Sequence, residues 1–155
     1  RYPNDDRVAQ VIASMLSRVG IATKVETLPS ASFFTRANKL DFSFLQAGWG
    51  ADTGEASSSL KALLATFDPA RGWGASNRGR YSNPQVDALL LQSLSELDEA
   101  KREQQVIDGM RIAMTDVGVI PLHIQTNIWA TRRGFEHTPR NDELTRAQDL
   151  RPAPR

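Results

Sequence analysis

The residues best suited to binding chemistry follow an apolar run that begins at Phe42. The run stops at Gly48-Trp49-Gly50-Ala51-Asp52, where two glycines flank an aromatic ring and an acid follows. An aromatic face beside glycines lets a ligand approach closely, and a carboxylate can pair with a ligand cation. A plainer interpretation fits the same residues, with Trp49 in the core and Asp52 capping the next segment. The residues by themselves leave both interpretations open.

A second candidate surface surrounds Trp73, in a glycine-rich stretch from residue 70 to residue 81. A loop of this length inside a compact domain is typically functional or mobile. Arg71, Arg78 and Arg80 bracket the tryptophan and are able to contact a carboxylate, although a solvated loop is the favoured interpretation. Trp73 itself fits the core and a ligand wall equally well.

Enzymatic and metal chemistry find little support in the sequence. His123 and His137 are the two histidines, and neither stands in metal-like spacing with other ligands. No serine lies in a G-x-S-x-G elbow, and the Gly48–Gly50 stretch lacks the dinucleotide fingerprint. The sequence therefore predicts no metal, no cofactor and no enzyme. A small α/β hydrolase or transferase that uses His123 with a nearby serine is the alternative.

Composition excludes further classes of function. The 155 residues carry a net charge of +1, which does not favour nucleic acid as a partner. No apolar window reaches the roughly 18 residues of a membrane span. Cysteine is absent, so disulfides and thiolate sites are excluded. The opening Arg1-Tyr2-Pro3, without an initiator methionine, predicts a chain excised from a longer one.

The elements of the first half alternate between helix and strand. Apolar residues recur with helical spacing after Asn4 and stop near Gly20. Residues 21–28 are β-branched and predict a strand, Ser30 begins a second helix, and the run from Phe42 predicts another strand. This order predicts an α/β fold, with a mixed sheet flanked by helices.

The second half predicts a helical hairpin and a further strand. One helix is expected within residues 56–67, and Asn83 followed by Pro84 is a strong helix start. Val86, Leu89, Leu90, Leu94 and Leu97 form the predicted buried face of that helix. A helix over residues 99–117 completes the hairpin, and residues 119–131 predict a strand. From about residue 136 to residue 155 the pattern indicates an extended tail, frayed at its end.

Four stretches, in order, resemble one known family. They are Arg1-Tyr2-Pro3-Asn4-Asp5 with its helix, Gly48-Trp49-Gly50-Ala51-Asp52, Asn77 to Leu90 around Tyr81-Ser82-Asn83-Pro84-Gln85-Val86-Asp87, and Val119-Ile120-Pro121-Leu122. Together they resemble the C-terminal lobe of the family 5 extracytoplasmic solute-binding proteins of ABC importers. The resemblance covers nearly all of residues 1–155.

The resemblance implies a function and a site. Members of this family are two-lobed clamps, periplasmic or lipid-anchored, that deliver short peptides, nickel complexes, heme or related solutes to a membrane permease. In peptide binders the acid of the Gly-Trp-x-x-Asp motif pairs with the α-amino group of the peptide, which implies that role for Asp52. Trp49 would line the cleft, and backbone groups at Gly48 and Gly50 would pair with an extended ligand.

The remaining implied site residues are Asn77, Arg78 and Tyr81. The sequence also departs from the family pattern, because Thr53-Gly54-Glu55-Ala56 follows the acid where peptide binders commonly have Tyr-Pro-Asp-Pro. The N-terminal lobe and the first strand of this lobe are expected to lie outside the chain. The missing lobe, the permease and a short peptide are thus the expected partners, and no nucleic acid is expected.

Overall fold

A computed structural model describes residues 4–51, 55–140 and 142–154 of the chain. The helices are α1 Asp5–Arg18, α2 Ser30–Asn38, α3 Ser57–Ser59, α4 Pro84–Ser93 and α5 Glu99–Thr115. Helix α3 continues directly as a π-helical turn, Leu60–Leu64. The strands are β1 Phe135–His137 and β2 Leu150–Pro152, with a 3-10 turn, Ala147–Asp149, before β2.

The core lies where α4 and α5 pack on the π-helical turn. Its buried residues are Leu60, Leu64, Ala65, Trp73, Val86, Leu90, Val106 and Ala113. Gly109 permits this packing, since a Cβ at that position would lie 3.0 Å from Leu60 Cδ2. All buried residues of this cluster come from residues 60–113, so the middle of the chain forms a core of its own.

The α4–α5 hairpin confirms the expectation from the sequence. Asn83 Oδ1 accepts a hydrogen bond from the Gln85 amide at 2.9 Å, and Asp98 Oδ1 accepts one from the Lys101 amide at 3.1 Å. Each side chain thereby caps the start of its helix. Asn83 at the start of α4 also donates to Asp116 just after α5, which means that the two helices run antiparallel.

The sequence predicted a longer buried face for α4 than the structure shows. Leu94 and Leu97 were expected inside, yet they are 54% and 95% exposed. The reason is that α4 ends at Ser93, so the helical repeat that would carry them to the core stops one turn early. Val86 and Leu90 are fully buried, as predicted.

The predicted strands over residues 21–28, from Phe42 and over residues 119–131 do not form in the structure. None of these segments is paired in a sheet within the described ranges, and Ile21, Phe44 and Ile124 are 54%, 58% and 95% exposed. A strand exists only when a neighbouring strand accepts its backbone hydrogen bonds. Apolar alternation supplies the propensity but not the partner, so the predicted mixed sheet flanked by helices is absent from the described residues.

The sheet that does form lies in the predicted tail. Strands β1 and β2 are antiparallel, with Phe135 opposite Pro152 and His137 opposite Leu150. The Ala153 amide adds a bond to the Gly134 carbonyl at 2.9 Å. The tail therefore folds back on itself where an extended, frayed end was expected. Within the described ranges, no helix has the length and apolar character that crossing a membrane requires.

Candidate functional site

The segment 46–51 forms an exposed edge beside α3. Gly48, Trp49 and Gly50 are all exposed, and Trp49 keeps 46% of its surface accessible. The indole Nε1 donates to Ser59 Oγ at 3.1 Å, which ties the ring to α3 without burying it. An aromatic side chain that is oriented by a hydrogen bond but half open to solvent is suited to line a ligand.

The glycine at position 50 has open space around it. A Cβ there would meet no atom of the described residues within 4 Å. Packing within the described residues thus does not require a glycine here, whereas a close backbone approach by a ligand would. Asp52, the predicted partner of a ligand ammonium, lies outside the described residues.

Gln46, a residue that the sequence did not single out, adds a polar group to this edge. Its Nε2 donates to the Asp5 carbonyl at 3.4 Å, and its Oε1 is buried without a hydrogen-bond partner in the described residues. A buried amide oxygen without a hydrogen-bond partner is costly, and this oxygen keeps its capacity to accept one. Its position two residues before Gly48 is the signal that could have identified it.

Asn77 is buried and organises the loop around it. Its Nδ2 donates to the Ala65 carbonyl at 2.9 Å and to the Tyr81 carbonyl at 2.7 Å, while its Oδ1 accepts from the Tyr81 amide at 3.0 Å. Both amide protons are therefore used within the chain. The geometry gives Asn77 a positioning role in the loop.

Tyr81 joins the start of α4 to the end of α5. Its hydroxyl donates to Asp116 Oδ2 at 2.6 Å, and Asn83 Nδ2 donates to the same oxygen at 2.7 Å. Burial, followed by the hydrogen bond to the Asp116 carboxylate, raises the pKa of Tyr81 to about 12. The hydrogen bonds from Tyr81 and Asn83 lower the pKa of Asp116. At neutral pH the network is a neutral phenol bound to a carboxylate.

Arg78 lies over α2 and lines a cavity of about 270 Å³. Its Nε and Nη2 both donate to Asn38 Oδ1, at 3.3 and 3.1 Å. Its guanidinium also lies 5.5 Å from the centroid of the Phe34 ring. The cavity is lined by Asn38, Leu40, Phe67, Ala75, Asn77, Arg78 and Arg80. The structure thus brings Asn77 and Arg78 together, in a cavity that does not include Trp49.

The second tryptophan belongs to the core. Trp73 is 6% exposed, and its backbone pairs with Asp68 in both directions, at 2.9 and 3.1 Å. Arg71 lies over the indole at 5.4 Å and forms an ion pair with Asp68 at 3.5 Å. The two interpretations that the sequence left open for Trp73 are decided by this burial, because an enclosed ring cannot line a cleft.

The histidines form no catalytic arrangement in the part of the chain that is described. His123 is exposed and makes no hydrogen bond there to a serine or any other residue. His137 stacks on Trp129 with ring centroids 5.7 Å apart. The described residues also include no cluster of histidine, aspartate or glutamate able to hold a metal ion. Nucleophilic catalysis needs a base within hydrogen-bond reach of its nucleophile, and the described residues form no such pair with His123 or His137.

Comparison with known proteins finds sequence similarity to one family. Residues 1–70 match the family model described as bacterial extracellular solute-binding proteins, family 5 middle. Over these residues the chain is similar to the family 5 solute-binding proteins. The resemblance drawn from the four motifs is thereby confirmed. No solved structure gives a significant match.

Several curated relatives of this family 5 homologue are periplasmic binding proteins by name. A probable D,D-dipeptide-binding periplasmic protein of Escherichia coli is 26% identical over 77% of this chain and 23% of its own length. The heme-binding protein A of Haemophilus influenzae is 28% identical over 77% of the chain and 21% of its own length. A periplasmic murein peptide-binding protein of E. coli is 25% identical over 80% of the chain and 22% of its own length. The chain thus spans about a fifth of the length of these relatives.

Proposed function

We propose that this chain is a C-terminal lobe fragment of a two-lobed solute-binding protein, the component of an ABC importer that captures short peptides. The supporting observation is the exposed edge Gly48-Trp49-Gly50, which lies in the part of the chain that matches the family model and leads directly to Asp52. Peptide-binding names among the relatives support the choice of solute. The captured peptide would be delivered to the membrane permease.

Each site residue has a role in this proposal. Asp52 binds the α-amino group of the peptide through a charge-assisted hydrogen bond. Trp49 forms a wall of the cleft, and the backbone at Gly48 and Gly50 pairs with the extended peptide. Arg78 contacts the solute from the loop. Asn77 and Tyr81 act by positioning that loop, since their polar atoms already bond within the chain.

The three extended apolar segments have a place in the same proposal. In the intact protein, residues 21–28, the run from Phe42 and residues 119–131 become strands of a mixed sheet flanked by helices, as in a type II binding-protein clamp. Their exposed apolar side chains support this, because pairing would bury them. The protein would work outside the cytoplasm, in the periplasm or held by a lipid anchor, with the N-terminal lobe closing over the solute.

The test is the substitution Asp52→Asn in the intact protein. We expect it to weaken binding of a short peptide by at least tenfold, or about 1.4 kcal/mol, when measured by calorimetry. The matched control is Asp108→Asn, which removes a partly exposed acid on α5 that pairs with Arg111. Unchanged affinity in Asp52→Asn would show that Asp52 does not bind the α-amino group of the peptide.

A second solute class is favoured by one observation, the heme-binding relative. Its identity to this chain is as high as that of the peptide binders, so overall similarity does not choose between them. Mass spectrometry and absorbance of solute retained by the intact protein separate the two, because retained heme has a visible absorption band and retained peptide has none. A nickel complex would be detected in the same preparation by elemental analysis. Turnover of a peptide or ester that is lost in His123→Ala would instead favour the hydrolase alternative.

A further inference from the structure

Two arginines of the loop direct positive charge into the same cavity. Arg78 and Arg80 both line the space of about 270 Å³ between the end of α2 and the loop. Neither guanidinium has a carboxylate within ion-pairing distance among the described residues, and no acid from those residues lines the cavity. Arg71, in the same loop, differs because Asp68 neutralises it. Counting the described residues alone, the cavity therefore contains two cations without a counter-ion.

Both guanidinium groups are held in place by groups that carry no charge. Asn38 Oδ1 accepts two bonds from Arg78, and the Phe34 ring lies beside the same guanidinium. The guanidinium carbon of Arg80 lies 3.8 Å from the centroid of the Phe67 ring. Stacking on an aromatic face leaves the N–H groups at the edge of the guanidinium plane free to donate. The arginines are thus oriented without being neutralised.

The backbone at Arg80 supplies an independent observation. Its φ angle is 55°, in the left-handed region that residues with a Cβ rarely adopt. Gly79 directly precedes Arg80 and would adopt this region without a steric penalty, yet the positive φ falls on the arginine. A non-glycine residue held in such a conformation costs of order 1 kcal/mol. The Arg80 guanidinium lies over the Phe67 ring, and both residues line the cavity.

We propose that this cavity binds a carboxylate of the transported solute, with Arg78 and Arg80 as its two donors. A carboxylate matches the fork of N–H donors on a guanidinium, and it relieves the repulsion between two neighbouring cations. Leu40, Phe67 and Ala75 form the apolar part of the lining and suit a short aliphatic stem. The inference rests on the proposed function only in taking the carboxylate to be that of a peptide, at its C-terminus or on an acidic side chain.

The experiment uses the intact protein and three peptides of equal length. They are trialanine, trialanine amide and Ala-Glu-Ala amide, which present a terminal carboxylate, none, and a side-chain carboxylate. Calorimetry compares wild type with Arg78→Gln, Arg80→Gln and the double variant. We expect wild type to prefer one carboxylate-bearing peptide over trialanine amide, and each single substitution to reduce that preference by about fivefold. Arg71→Gln is the matched control and should leave the preference unchanged.

A second readout separates failure of this inference from failure of the proposed function. Succinate is titrated into wild type while the side-chain Nε–H signals of the arginines are followed by NMR. Saturable shifts of the Arg78 and Arg80 signals, with the Arg71 signal unmoved, support the carboxylate site even if no peptide binds, in which case the peptide function fails alone. If peptides bind, equal affinity for all three peptides overturns the inference and leaves the function standing. If no peptide binds and succinate does not shift these signals, both are overturned.

Discussion

The loop of residues 70–81 and the edge of residues 46–51 each have a tryptophan flanked by glycines, yet the two tryptophans differ in burial. In the loop, Trp73 is buried and Asn77 uses both of its amide protons within the chain. At the edge, Trp49 is half exposed and is held by one hydrogen bond to Ser59. A polar or aromatic group whose bonds are satisfied internally builds the scaffold. One that is oriented but left open is available to a ligand.

The largest expected effect separates the two tryptophans. Trp73→Ala should destabilise the chain by about 3–5 kcal/mol, because it removes a buried aromatic ring from the core. Trp49→Ala should cost less than about 1 kcal/mol, since half of that ring is already in water. Urea denaturation measures both. Equal losses for the two variants would mean that the edge is part of the core, and the comparison would fail.

The second test asks how tightly the loop is built. Gly74 has a φ of +63°, and an added Cβ would lie 2.6 Å from the Ala65 carbonyl oxygen and 2.8 Å from Phe67 Cα. Because both neighbours are backbone atoms, Gly74→Ala should cost about 2–4 kcal/mol in unfolding free energy.

Gly72→Ala is the matched control for Gly74→Ala. Its φ is +66°, but its Cβ would meet nothing within 4 Å, so it isolates the conformational part at about 1 kcal/mol. The difference between the two variants in denaturant unfolding is the contribution of close packing alone. If Gly74→Ala costs no more than its control, the loop is looser than the geometry indicates.

The third test removes the cap that fixes the loop to α4. Asn83→Ala should destabilise by about 1 kcal/mol, because the Gln85 amide loses its acceptor and Asp116 loses one donor. Asp98→Ala removes a cap of the same kind from α5 without touching Asp116. We expect the Asn83 variant to lose more than the Asp98 variant in thermal or denaturant unfolding. The reverse order would show that the bond to Asp116 contributes nothing.

The smallest effect appears only at alkaline pH. The folded state raises the pKa of Tyr81 from 10.0 to about 12, so its contribution to stability is complete below pH 10 and is lost as the pH rises through 12. In a Tyr2→Phe background Tyr81 is the one remaining tyrosine, and the ultraviolet absorbance of tyrosinate reports it directly.

The matched variant for this titration is Asp116→Asn. It removes the carboxylate that favours the neutral phenol, so the midpoint should fall from about 12 towards 10.0, while the part of the shift that comes from burial persists. Circular dichroism at each pH checks that the chain is still folded. A midpoint at the ordinary value in the folded Tyr2→Phe protein would contradict the network around Tyr81.

Helix starts and the hairpin were predictable because their signals are local. Asn83 followed by Pro84 specifies a cap and a first helical residue, whatever surrounds them. The extended apolar segments were predicted as strands from an equally local signal, but pairing depends on a neighbour that the segment does not contain. The pairing of the loop arginines could not be predicted either, because Arg71, Arg78 and Arg80 all lie in the same glycine-rich stretch. Only Arg71 has Asp68 to neutralise it.

By itself, the sequence determined the hairpin helices, the Asn83 cap and the resemblance to a family, because these depend on neighbouring residues and on motifs that can be read in order. Tertiary structure alone decided which tryptophan is core and which is exposed, and which arginines line a cavity. It also decided that Asn77 and Tyr81 hold the loop instead of facing solvent. The physical reason is that burial and bonding partners are set by residues distant along the chain, as when Tyr81 finds Asp116 and Arg78 finds Asn38.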